Sequence, residues 1–223
     1  MQTRHHVLSI ATILSLAAWC GADSDPYLFT DGSKVSLPWR KTDGAGFVWD
    51  IHGNGNVEHG TNYAYSNAMM LTHRSSRHFH ANNISLVSRD GQELLLGPYK
   101  DRNLRVWRRI YIDPKLGYAR WIDIFKNVAK DTPIKLDVQY QNYMGNSIRK
   151  CTTTTGEANL TSKDWGFVTA DEGNNNRPAV MQVFATRRSK IHPTVQVQMN
   201  NNQFFYRINL TIPPGETKSL CFF

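Results

Sequence analysis

The stretch Pro133-Ile134-Lys135-Leu136-Asp137-Val138-Gln139-Tyr140-Gln141 decides the fold. Ile134, Leu136, Val138 and Tyr140 share one parity, and Lys135, Asp137 and Gln139 share the other. A period of two puts every apolar side chain on one face of a strand, where a helix would scatter them around its circumference. The segment therefore reads as a strand with one dry and one wet face. Outward from it, Thr194 to Met199 sets Val195, Val197 and Met199 against Gln196 and Gln198. Pro178 to Thr186, Gln203 to Ile212 and Thr217 to Phe223 are rich in β-branched and aromatic residues and read the same way. Leu104 to Ile112 and Tyr118 to Lys126 form a hairpin joined by Asp113-Pro114-Lys115-Leu116-Gly117, with Pro and Gly placed for a turn. Pro213-Pro214-Gly215-Glu216 breaks the last two strands apart, because its prolines cannot donate ladder bonds. Beyond residue 22, no window longer than ten residues carries a persuasive helical stripe. Ten or more short strands at this spacing imply an all-β fold, a large antiparallel two-sheet sandwich, with a closed barrel as the alternative. No repeat or linker interrupts the pattern, so residues 23–223 read as one domain.

The chain of 223 residues opens with a basic stretch containing Arg4, an apolar run from Val7 to Trp19, and the small residues Cys20, Gly21 and Ala22. That order is a secretory leader, residues 1–22, which places the protein outside the cytoplasm, secreted or periplasmic. The apolar run is short for a ~30 Å hydrocarbon layer, and no later segment is apolar enough to cross one. The formal net charge is +8. A basic surface favours acidic partners, although no run of five like charges occurs. The partner expected is a glycan or another envelope component, and not nucleic acid. Cleavage after Ala22 leaves Cys151 and Cys221. Export permits a disulfide between them, and two separate thiols are the alternative.

Three groups of residues are candidates for chemistry. Asp50, His52, Asn54 and Asn56 stand at positions one, three, five and seven of a calcium-type loop, with Gly55 at six. His52 is a poor calcium ligand, and Thr61 stands where a bidentate Glu belongs. The alternative is a polar Asn54-Gly55 turn between two strands. His73, His78 and His80 lie close in sequence, and His78 and His80 share a strand face, a partial donor set for zinc or copper. Trp107, Arg109, Arg120, Trp121 and Asp123 cluster across the hairpin, with Arg108 between the first two. Indole faces stack on sugar rings and guanidinium forks onto carboxylates, so these five read as a ligand-binding set for a glycan. The alternative is structural: buried Trp and cross-strand Arg–Asp pairs. On Tyr118 to Phe125, Arg120 and Ile122 face opposite to Trp121 and Asp123.

The order of several short motifs carries a resemblance. They are Trp49-Asp50-Ile51, Asn54-Gly55-Asn56-Val57, His59-Gly60-Thr61-Asn62-Tyr63-Ala64-Tyr65, Asp90-Gly91-Gln92-Glu93-Leu94, Tyr118-Ala119-Arg120-Trp121 and Pro214-Gly215-Glu216-Thr217. Together they resemble a family of exported bacterial β-sandwich domains of the planctomycete type. That family is similar to the supersandwich of galactose-mutarotase-like proteins. The resemblance spans most of residues 27–223 and implies a supersandwich-like fold and an envelope location, with no established reaction. Asn62-Tyr63-Ala64-Tyr65-Ser66 departs from it where acidic residues are usual, which puts a carboxylate-dependent role of that segment in doubt. No nucleophile elbow, zincin motif or phosphate-cradling loop is present in the sequence. The functional expectation is a non-catalytic sandwich that binds an envelope component, carbohydrate first, with no cofactor unless calcium. The alternatives are a mutarotase-like or lyase-like carbohydrate enzyme and a structural part of an envelope assembly.

Overall fold

The structure is a computed structural model that describes residues 29, 31–74, 77–81, 85–145, 150–157, 161, 163–171, 177–186, 188–189, 191–198 and 202–223. The expected leader, residues 1–22, lies outside them. Among the described residues sixteen strands follow in chain order: β1 (Ser33–Lys34), β2 (Trp39–Thr42), β3 (Val48–Ile51), β4 (Met70–His73), β5 (Arg77–His78), β6 (Ser85–Val87), β7 (Glu93–Asp101) and β8 (Leu104–Ile112). Then come β9 (Ala119–Asn127), β10 (Ile134–Tyr143), β11 (Lys150–Thr153), β12 (Gly166–Ala170), β13 (Val180–Val183), β14 (Thr194–Gln198), β15 (Gln203–Ile212) and β16 (Thr217–Phe222).

They form a six-stranded sheet in the order β1-β6-β7-β8-β9-β16 and a five-stranded sheet in the order β14-β15-β10-β4-β5. A three-stranded sheet, β11-β12-β13, and the ribbon β2-β3 complete the set. Every described pairing is antiparallel. The fold is the all-β antiparallel sandwich that the alternation of residues 133–141 predicts. Along β10 the even-numbered side chains Ile134, Leu136, Val138 and Tyr140 are buried, and Lys135 and Asp137 are exposed. No described helix is long and apolar enough to cross a membrane.

One continuous core joins the inner faces of the two large sheets. Leu94, Leu96, Val106, Ile110 and Phe125 come from one side, and Leu71, Val138, Phe204, Tyr206 and Ile208 from the other. The last strand seals it. Phe222 on β16 stacks on Tyr206 with ring centroids 5.9 Å apart and meets Tyr140 at 4.5 Å. Aromatic rings make this join because each buries much area with few rotatable bonds. The turn between β8 and β9 is closed by Asp113, whose Oδ1 accepts from the backbone N–H groups of Lys115 at 2.8 Å and Leu116 at 2.7 Å. That is an Asx-type turn, the reason Asp followed by Pro serves here.

Candidate functional site

The β8–β9 hairpin has two faces, and the sequence-based ligand set divides between them. In the register, Tyr111 lies opposite Arg120, Arg109 opposite Ile122 and Arg108 opposite Asp123. Arg108 and Asp123 point inward, and both side chains are fully buried. Arg108 Nε donates to Asp123 Oδ1 at 2.8 Å, and Nη2 donates to Oδ2 at 3.3 Å. Nη1 donates to the carbonyls of Asn54 and Met69, both at 2.8 Å. Trp121 also points inward, and its Nε1–H donates to the Gly55 carbonyl at 3.0 Å. Trp121 and Asp123 therefore cannot meet a ligand from solvent; Trp121 and Arg108 pin the loop around Gly55 to the sheet, and Asp123 holds Arg108 in place. Gly55 has φ of +72°, and a Cβ there would lie 2.9 Å from Arg108 Cδ, so glycine is required.

Trp107 faces outward but is buried too, against Leu95 and Ile124, with Phe29, Leu86 and Ile122 packed around them. The expected indole platform is thus absent at Trp107 and Trp121, and the Asp123 carboxylate is buried with them. Arg109 and Arg120 remain, each about a third exposed, at 33% and 32%. Both hold the Glu93 carboxylate: Arg109 Nη2 at 2.5 Å from Oε2, and Arg120 Nη2 at 3.1 Å from Oε1. Arg109 lies over the Phe29 ring at 5.2 Å, and Arg120 over the Tyr111 ring at 5.2 Å. Tilted ring contacts continue the run from Tyr111 to Tyr118 at 6.2 Å and from Tyr118 to Phe223 at 5.9 Å. Loss of water raises both phenol pKa values above the ordinary range, and the nearby Asp113 carboxylate adds to it. Tyr118 and Phe223 also line an adjoining groove of about 460 Å³ together with Phe47, Trp49 and Met181. The outer face therefore carries a strip of alternating guanidinium and aromatic groups that ends in an aromatic groove. The sequence reading missed Tyr111, Tyr118 and Phe223. The signal was available for Tyr111, which shares the parity of Arg109 on β8.

The second site is built on the turn after β3. Ile51 bridges Val57, His52 N–H donates to the Asn56 carbonyl at 3.0 Å, and Glu58 N–H donates to the Asp50 carbonyl at 3.1 Å. The polypeptide thus doubles back at Asn54-Gly55 as a tight hairpin. Asp50, His52, Asn56 and Glu58 share one face of it by register, and Ile51 and Val57 are buried on the other. Asn54, Asn56 and His52 line an open polar cleft of about 620 Å³ with Asn67, His80 and Leu37. Asn56 Nδ2 donates to Asn67 Oδ1 at 2.6 Å. Asp50 turns away from that cleft. Its carboxylate accepts from the N–H groups of His59 at 3.1 Å and Gly60 at 2.9 Å. The structure therefore sets Asn54 and Asn56 on the cleft and Asp50 beside Glu58 and His59.

Among the described residues, four of the seven non-glycine residues with positive φ, namely Asn62, Tyr63, Asn67 and Met69, lie in the segment that faces this hairpin. Local strain of this kind persists where surrounding contacts fix the backbone. Here Arg108 does so through the Met69 carbonyl, and the Asn142 side-chain oxygen accepts from Met69 N–H at 2.8 Å. The histidine group divides as well. His73 is fully buried beside Asp101, and His78 and His80 are exposed. Burial is the main cause that lowers the His73 pKa to about 4, against the opposing charge of Asp101. Cys221 on β16 carries a free thiol. The side chain of Cys151 lies outside the described residues.

Fold and sites together define an antiparallel β-sandwich with a guanidinium–aromatic outer face and a separate polar cleft. No family model matches the chain. No curated protein matches it either. Among solved structures it is similar to a polysaccharide lyase, with 16% identity and a TM-score of 0.43, over 86% of this chain. This chain spans 31% of that lyase's length.

Proposed function

We propose that the protein is an exported, non-catalytic binding domain for acidic carbohydrate, held on the strip from Arg109 and Arg120 through Tyr111 to Tyr118. The observation that carries this reading is the unbroken run of contacts along the outer face, Arg120 over the Tyr111 ring, then the tilted ring contacts of Tyr111 with Tyr118 and of Tyr118 with Phe223. Half-exposed aromatic rings offer sugar CH surfaces a flat apolar contact. Guanidinium groups beside them fork onto a uronate or sulfate, and a net charge of +8, or +7 once Arg4 leaves with residues 1–22, draws such a polymer in. Glu93 neutralises part of the pair in the free protein, so binding exchanges one carboxylate partner for another.

The test is titration of the leaderless chain with polygalacturonate and with a neutral polymer of equal length, followed calorimetrically at two salt concentrations. Binding of the acidic polymer, weakened by salt and lost in Arg120→Gln and Tyr118→Ala, is the expected result. Equal binding of both polymers, or binding untouched by the two substitutions, overturns the assignment. A second reading, a carbohydrate-active enzyme, is favoured by one contact. His52, which lines the polar cleft, places Nε2 2.5 Å from Glu58 Oε2, and an imidazole beside a carboxylate is the residue pairing general acid–base chemistry uses. Release of unsaturated or reducing ends from an acidic polymer, abolished by His52→Ala, would select it.

A further inference from the structure

The hairpin that supplies His52 to the cleft also gathers a set of mixed donors at its base, next to His52. One ligand atom each from Asp50, Glu58 and His59 lies within 4.8 Å of the other two. His59 Nδ1 is 3.7 Å from Asp50 Oδ2 and 3.7 Å from Glu58 Oε2. We propose that Asp50, Glu58 and His59 bind one divalent transition-metal ion of the zinc type, leaving a fourth position open to water or ligand. This does not rest on the carbohydrate reading.

Three arguments carry it. The first is spacing. Donors at about 2.0–2.2 Å from a tetrahedral ion stand roughly 3.3–3.6 Å apart, so the two His59 edges of 3.7 Å close with a few tenths of an ångström of movement, and the Asp50–Glu58 edge, within 4.8 Å, closes by rotation of the part-exposed Glu58 side chain. The second is ligand type. Imidazole with two carboxylates suits zinc, whereas calcium takes oxygen donors at about six to eight positions. The third is charge. Among the described residues, the ion pairs of Asp50 and Glu58 are with His52 and His59 alone, in a chain with 26 Lys and Arg residues. Two carboxylates this close repel each other, and a dication between them removes that repulsion.

The site is also pre-set and reachable. Asp50 is 5% exposed and fixed by the His59 and Gly60 N–H groups, and the Glu58 and His59 side chains are 37% and 42% exposed. His52 contacts the Glu58 oxygen that faces His59, and so orients that carboxylate from outside the coordination sphere.

The leaderless chain is freed of metal with chelator, dialysed, and titrated with Zn²⁺ by calorimetry, then with Co²⁺ by visible absorption. One ion per chain and a visible Co²⁺ band typical of tetrahedral nitrogen–oxygen ligation are expected. Glu58→Gln and His59→Ala are each expected to weaken Zn²⁺ binding at least about tenfold. Their metal-free melting temperatures should match the parent, which separates ligand loss from unfolding; Asp50 is left intact because it holds two backbone N–H groups. Absence of saturable Zn²⁺ binding by the folded chain overturns the site, as does unchanged affinity in both variants. Ca²⁺ that competes on equal terms with Zn²⁺ overturns the metal class. Retained binding of acidic polymer by His59→Ala keeps this test distinct from that of the outer strip.

Discussion

Replacing Asp123 by Asn removes one negative charge and keeps the shape of the side chain. Its partner Arg108 is fully buried, and the guanidinium makes four hydrogen bonds, two of them to Asp123. With the carboxylate gone, a buried cation is left facing an amide, and breaking a buried pair from one side costs about 3–5 kcal/mol. Arg108→Met does more damage. It strands the Asp123 carboxylate, and it also removes the donor from the Asn54 and Met69 carbonyls, at roughly 1–3 kcal/mol for each one left unsatisfied. Against a domain stability of about 5–15 kcal/mol, Asp123→Asn should leave a foldable protein and Arg108→Met a marginal one. Equilibrium urea unfolding at pH 7, read by tryptophan fluorescence, gives the three free energies for the cycle with Arg108→Met/Asp123→Asn. The double variant should cost less than the sum of the two single ones by about 3 kcal/mol, because it leaves no unpaired charge. Amide exchange at residues 54–57 should quicken in the single variants, since Arg108 holds the Asn54 carbonyl. Glu93→Gln on the outer face is the control. It leaves behind two guanidinium groups that are each about a third exposed, so solvent screens the unpaired charge and the cost should fall well below that of Asp123→Asn. If Asp123→Asn costs as little as Glu93→Gln, the reading of Arg108 as the anchor of the loop is wrong.

Two further outcomes follow from the core. His73 has a folded-state pKa near 4, lowered chiefly by burial, against about 6.5 in an unfolded chain. The unfolded state therefore binds the extra proton first, so stability is full above pH 6.5 and falls as the pH drops towards 4, by about 3 kcal/mol at most. Urea unfolding between pH 7 and 4 should show a shallower slope in His73→Gln than in the parent; identical slopes exclude His73 as the source. Phe222→Ala removes a ring that is 3% exposed and stacked on Tyr206, and should cost about 3–5 kcal/mol. A melting temperature unchanged by that substitution would mean that β16 does not seal the core.

The sequence by itself determined the class of fold, the turns between strands, and seven of the described strands, β8 to β10 and β13 to β16. Parity along a strand is a local property, so Ile134 to Tyr140 declare a dry face whatever they pack against. The Asn54-Gly55 and Asp113-Pro114 turns are equally local, fixed by backbone freedom and by a side chain that reaches its own backbone. Parity also separated Arg120 from Trp121. It did not say which of the two faces looks inward, because β8 carries Trp107 and Arg109 on one face and Arg108 on the other. Tertiary structure decided that. Phe29 and Leu86 cover Trp107 on the outer face. The carbonyls that make a buried Arg108 tolerable belong to Asn54 and Met69, 54 and 39 positions earlier in the chain. A buried charge is admissible only where distant groups satisfy it, and no local pattern announces where those groups will be.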